Sequence, residues 1–157
     1  MKYIFFVAVL FCVATACKQE KKENRNVQAS FPVSFTFNQA ELKAITSSIN
    51  PNAGTTSTLY GNTAALQALK YDDVQPGEEK KLVLITWTQK EDERWWGAKI
   101  PGTIKNAEVI QTSTSLSDLE HITYLRYNGA QLQLSSDTSH REERLHSILA
   151  MKPSVMP

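Results

Sequence analysis

Apolar and polar residues alternate along this chain in short runs rather than in long helical stripes. The strongest run, 81–89 (KLVLITWTQ), is nearly continuous in apolar character and predicts a central strand buried on both faces. With a period of two, Val83, Ile85 and Trp87 point one way, Leu84 and Thr86 the other. Upstream, 42–49 and the threonine-rich 55–60 predict a hairpin closed by Asn50-Pro51-Asn52-Ala53-Gly54. Asn38 and Glu41 stand at capping-box spacing and offer an alternative start, a short helix. Gly61-Asn62 reads as a stop followed by an N-cap. Ala65, Leu66 and Leu69 then share one face of a helix over 63–70. A loop over 71–80 carries Pro76-Gly77.

Beyond the central run, Lys90-Glu91-Asp92-Glu93-Arg94 interrupts the pattern before Trp95-Trp96-Gly97. Two more strands are predicted, 107–112 and 122–127, the second ending at Asn128-Gly129. Ser139 and Glu142 form a capping-box pair ahead of Leu145, Ile148 and Leu149, the apolar stripe of a terminal helix that Pro153 stops. Five or so strands joined mostly by short turns, with two or three short helices, predict an α+β fold dominated by an antiparallel β-sheet.

The first residues follow a different logic. Lys2 precedes an apolar run over 3–13, and Ala14-Thr15-Ala16 supplies small residues before Cys17. The run is too short for a membrane-spanning helix, which needs about 20 apolar residues. Residues 1–16 therefore read as a lipoprotein signal peptide, with Cys17 as the acylated residue and a lipid anchor in the membrane. Residues 18–30 (KQEKKENRNVQAS) are too polar to form a core and read, with Cys17, as a flexible tether over 17–30. Fully extended, 18–30 reaches at most roughly 45 Å. Residues 31–157 are left for one compact domain. The expected location is the cell envelope, as an outer-membrane lipoprotein facing the periplasm or the surface.

This assignment narrows the chemistry. Cys12 leaves with the leader and Cys17 is under lipid, so a structural disulfide, a cysteine-bound zinc and a catalytic cysteine are all excluded. The formal net charge is +1, and no basic field exists to hold phosphates, so nucleic acid is not expected as a partner.

Three groups of residues carry candidate chemistry. Trp87, Trp95 and Trp96, with Gly97 and Lys99 beside them, could wall a pocket for a flat ligand, with Lys99 or Glu91 as polar contact. Each ring taken alone is more simply explained as core. His121, His140 and His146 are scattered and show no metal-ligand spacing. Glu142 and His146, four apart, suit a surface pair on the terminal helix. Asp72-Asp73, Glu78-Glu79, Glu91-Asp92-Glu93 and Glu142-Glu143 all lie in polar runs, without the burial that would move a carboxyl pKa. No catalytic set and no metal site is expected.

Three segments together resemble a known family. Thr58-Leu59-Tyr60-Gly61-Asn62 precedes an alanine-rich helix, 84–102 reads LITWTQKEDERWWGAKIPG, and the chain ends with Ile148-Leu149 and Ser154-Val155-Met156-Pro157. This order is similar to the cytochrome P-460 family, in particular its small secreted members, from about residue 35 to the C-terminus. The resemblance implies a strand-rich antiparallel fold, often a homodimer. In characterised members it implies a c-type haem on Cys-x-x-Cys-His, a lysine cross-linked to the macrocycle, and oxidation of hydroxylamine. Relatives of the same fold bind nitric oxide.

The present chain has no cysteine beyond Cys17, so covalent haem c is excluded and the family's haem residues have no counterpart here. The expected function is a haem-free binding or interaction module for a small ligand or an envelope protein. An alternative is non-covalent haem or small-gas binding with electron transfer, and a further one is an oxidoreductase related to the hydroxylamine-oxidising members. Any ligand pocket is expected around Trp87, Trp96, Lys99 and His121. A closed pocket beside Trp87 and Trp96 would favour haem. A solid core with an exposed aromatic patch would favour the interaction module, and a buried carboxylate with a raised pKa would favour an enzyme.

Overall fold

A computed structural model describes residues 26–32, 35, 41–71, 77–137 and 139–154. The leader, Cys17, most of the tether, Asn38, Asp72-Asp73, Pro76 and Val155-Met156-Pro157 lie outside the described residues.

Among the described residues the strands are β1 (Lys43–Asn50), β2 (Thr55–Gly61), β3 (Lys80–Glu91), β4 (Lys99–Thr112), β5 (Thr123–Asn128) and β6 (Gln133–Leu134). They form one antiparallel sheet in chain order, each strand pairing with its sequence neighbours even where α1 lies between β2 and β3. Helix α1 (Thr63–Tyr71) follows β2 and α2 (Arg141–Leu149) follows β6. The fold is thus α+β with an antiparallel sheet, as the polarity pattern predicts.

β3 is buried on both faces. Leu82 and Leu84 join Leu59, Ile110, Ala65, Leu145 and Ile148 in a core beneath the helices. Val83, Ile85 and Trp87 join Leu42, Ile104, Ala107 and Leu132 on the opposite face, where Ala29, Phe31 and Phe35 pack against them. Each fully buried aliphatic side chain contributes about 1.5–3 kcal/mol, so two cores sharing one strand make β3 the spine of the domain. Residues 26–30, which composition places in the tether, lie on the sheet: Val27–Ala29 forms a 3-10 turn and Asn26 Nδ2 donates to the Pro101 carbonyl at 2.6 Å.

α1 begins where expected. Asn62 Oδ1 accepts from the Ala65 N–H at 2.9 Å, satisfying a donor of the first helical turn, and from Lys81 N–H at 3.2 Å, tying the helix to β3. Gly61, however, is strand rather than stop. A Cβ there would stand 2.6 Å from Ile45 Cδ1 and 2.9 Å from Leu82 Cδ2, so only glycine lets β1 and β3 side chains close over it.

Three further differences have physical reasons. β4 begins at Lys99, well before the predicted strand, because irregular register around Trp87 accommodates Pro101 opposite Gln89. The same irregularity leaves Lys105 without a partner on β3 and returns Ile104 to the Trp87 face. At α2 the predicted capping box does not form. Asp137 Oδ1 takes both the N–H and the hydroxyl of Ser139, and left-handed His140 (φ 60°) opens the helix instead. The two-residue β6 extends the sheet beyond the predicted strands.

Candidate functional site

The tryptophan segment is split by the fold. Trp87 is core: 7% exposed, its ring centroid 6.4 Å from that of Phe31, its indole N–H donating to the Ala29 carbonyl at 3.1 Å. Trp95 and Trp96 lie in the loop joining β3 to β4 and are 70% and 104% exposed. That loop is built, not slack. Asp92 N–H bonds the Ala98 carbonyl at 2.9 Å, and Asp92 Oδ1 accepts from Arg94 N–H at 2.9 Å in an Asx turn. Ala98 N–H returns to the Trp95 carbonyl at 3.0 Å, closing a β-turn whose third residue, Gly97, sits at φ +77°. Trp96 occupies the corner of that turn, which is why its ring projects furthest.

Below the turn, Lys99 Nζ donates to Glu91 Oε1 at 2.6 Å. The hydrogen bond, backed by the lysine charge, holds the Glu91 carboxyl below the usual carboxylate range. Arg94 Nε lies 3.5 Å from Asp92 Oδ1. An open groove of about 440 Å³ runs beside the tip between Asn26, Gln28, Lys90, Arg94 and Ile100. Lys90 Nζ bridges it to Gln28 Oε1 at 3.1 Å.

His121 belongs to the other end of the molecule. It closes the 3-10 turn Leu119–His121, just ahead of β5, whose Thr123 pairs with Gln111 of β4. Trp87 pairs with Ile104 of the same strand, so seven residues of β4, roughly 24 Å, separate the two levels. His121 Nδ1 is 2.9 Å from Asp118 Oδ2, and that hydrogen bond, with the carboxylate's charge, raises the imidazole pKa above its ordinary value. Trp96 and Lys99 therefore share the hairpin tip, Trp87 lies inside beneath it, and His121 joins none of them. These four residues do not fit a haem. His121 and Lys99 are engaged by Asp118 and Glu91 at opposite ends of β4, too far apart to meet one macrocycle. Among the described residues no group of three His, Cys, Asp or Glu could hold a metal ion, and no helix is long and apolar enough to cross a membrane.

Sequence reasoning missed one cluster. Glu108, fully buried on the helix-covered face of β4, accepts from Arg144 Nε at 3.0 Å and Nη2 at 2.6 Å, and from the Tyr124 hydroxyl. Desolvation first, then the bond to the carboxylate, drives the Tyr124 phenol well above its usual range. The Glu108 bond raises the Arg144 guanidinium further. With both carboxylate oxygens accepting from Arg144 and one also from Tyr124, the cluster ties α2 and β5 to β4. The available signal was Glu108 itself, a lone charge within the apolar Ala107-Glu108-Val109-Ile110.

Compared with known proteins, the chain matches no protein-family model and no curated protein.

Proposed function

We propose that this chain is the displayed domain of an envelope lipoprotein, a non-catalytic interaction module on a cytochrome P-460-like sheet. It makes contact through the Trp95-Trp96 hairpin tip. One observation carries the reading: of three tryptophans within ten residues, Trp87 is closed into the core while Trp95 and Trp96 stand in solvent on a hydrogen-bonded turn. Two adjacent exposed indoles sacrifice solubility without helping the fold, which is the signature of a contact surface. Between the outcomes set out from the sequence, a solid core beside an exposed aromatic patch is the arrangement that favours a binding module.

Site-specific photocrosslinking in living cells tests it. A photoreactive side chain at position 96 should form a discrete adduct with an envelope component, whereas one at exposed Glu142 on α2 should not. Equal labelling from both positions, or none from 96, would sink the reading. Haemin titration of the mature chain should leave the Soret band without a saturable shift. A saturable one-to-one spectrum would replace this function with a haem-binding one.

A further inference from the structure

We infer that the surface met by the Trp95-Trp96 tip is the phospholipid bilayer to which the chain is tethered. The inference rests on the lipoprotein reading of Cys17 and adds the chemistry of the partner. It begins with where the chain enters the fold. Asn26 is fixed to the Pro101 carbonyl and Gln28 to Lys90, so the polypeptide arrives at the end of the sheet that carries the tip. Pro101 lies two residues from Lys99, where the hairpin loop closes. Only nine residue steps separate Cys17 from Asn26, at most about 32 Å of extended chain and roughly 17 Å as a flexible coil. An acylated Cys17 thus keeps the tip end of the domain within about 32 Å of the membrane, nearer than the end that carries His121.

The tip has the chemistry of an interfacial anchor. An indole combines a broad apolar ring with one N–H donor and settles at the boundary between headgroups and acyl chains. The loop's charges balance, Lys90, Arg94 and Lys99 against Glu91, Asp92 and Glu93, so seating requires no anionic lipid and meets no net repulsion. The tether makes this contact intramolecular, so a weak affinity suffices to keep the tip seated. The membrane would then hold the domain in one orientation rather than leaving it to tumble on its tether.

The test uses the mature acylated chain in phosphatidylcholine vesicles whose acyl chains carry bromine, a short-range quencher of indole fluorescence. Mass analysis of the N-terminal peptide reports the acyl group on Cys17. The wild type should lose up to about two thirds of its tryptophan emission relative to unbrominated vesicles, and added salt or anionic lipid should not change this. W95F/W96F, which keeps only core Trp87, should show no quenching. An acylated wild type that is not quenched overturns the proposal and leaves the anchor standing. Absence of acylation overturns the anchor and the proposal together. A tip that becomes shielded from aqueous iodide only when envelope proteins are added identifies a protein partner and also overturns it.

Discussion

Arg144 reaches 36 residues back along the chain to close on Glu108 with both a 3.0 Å and a 2.6 Å hydrogen bond, and so ties the last helix to the middle of the sheet. Glu108 is wholly inaccessible, while the Arg144 side chain keeps 36% exposure. Removing the arginine leaves a buried carboxyl without its charge partner, which costs far more than the pair contributes relative to an apolar replacement. Arg144→Ala should lower unfolding free energy by about 3 kcal/mol in urea denaturation, and Glu108→Leu with Arg144→Met should recover most of it. A single substitution costing under about 0.5 kcal/mol would show that water compensates the carboxylate.

Tyr124 donates its hydroxyl to the same carboxylate, and burial plus that bond raise its pKa above the ordinary 10.0. A folded pKa raised above the unfolded one gives stability that is complete below the unfolded value and lost as pH climbs through the folded one. Wild-type stability should therefore fall progressively above about pH 10. Tyr124→Phe should be less stable at neutral pH and show a shallower alkaline loss. Equal alkaline slopes in both proteins would assign that loss to other groups.

Two tryptophans of one segment should respond oppositely to truncation. Trp87→Ala opens a cavity against Phe31 and abandons the Ala29 carbonyl, and should cost about 3–5 kcal/mol. Trp96→Ala removes a fully exposed ring and should stay within about 0.5 kcal/mol of wild type, while abolishing the contact made by the tip. Paired thermal melts decide the matter, and a large loss for Trp96→Ala would make it structural.

How far the fold was legible depended on how local its causes are. β3 and its two faces follow from a period of two within one apolar run, and α1 follows from Asn62 with Ala65, Leu66 and Leu69 nearby. The first half of β4 was hidden because Pro101 and the charges before it imitate a loop, and only pairing with β3 overrides them. Ser139 failed as a cap because Asp137, two residues away, competes for its hydroxyl. Within the site, composition treats Trp87, Trp95 and Trp96 alike. Their separation into core and tip arises from the turn at Gly97 and from the N-terminal segment over Trp87. His121 could not be separated from them by sequence, because its distance is set by strand register.

Gly61 faces two side chains that leave no room for a methyl group. Gly61→Ala keeps an ordinary strand conformation accessible, so its effect isolates packing from backbone strain. Overpacking should cost about 1–3 kcal/mol, and Ile45→Val in the same chain should restore part of it by withdrawing the nearer methyl. Urea midpoints for the single and double variants provide the check; additive losses would show that Ile45 is not what resists the new methyl.

His121 offers a titration that reads geometry without any ligand. Its Nδ1 sits 2.9 Å from Asp118 Oδ2, and the hydrogen bond, the carboxylate charge and the more distant Glu120 all favour the imidazolium. The midpoint should therefore lie above 6.5 in an NMR titration of the imidazole protons. Its stabilising contribution is complete below 6.5, where the histidine is charged in both folded and unfolded chains, and disappears as pH rises through the higher folded midpoint. Asp118→Asn removes the charge and most of the bond strength, and should return the midpoint toward 6.5. A His121 midpoint unmoved by Asp118→Asn would mean that the pair is not held in solution. The turn Leu119–His121 would then owe its shape to Arg141, whose guanidinium binds the Leu119 and Ile122 carbonyls at 3.1 Å and 2.7 Å.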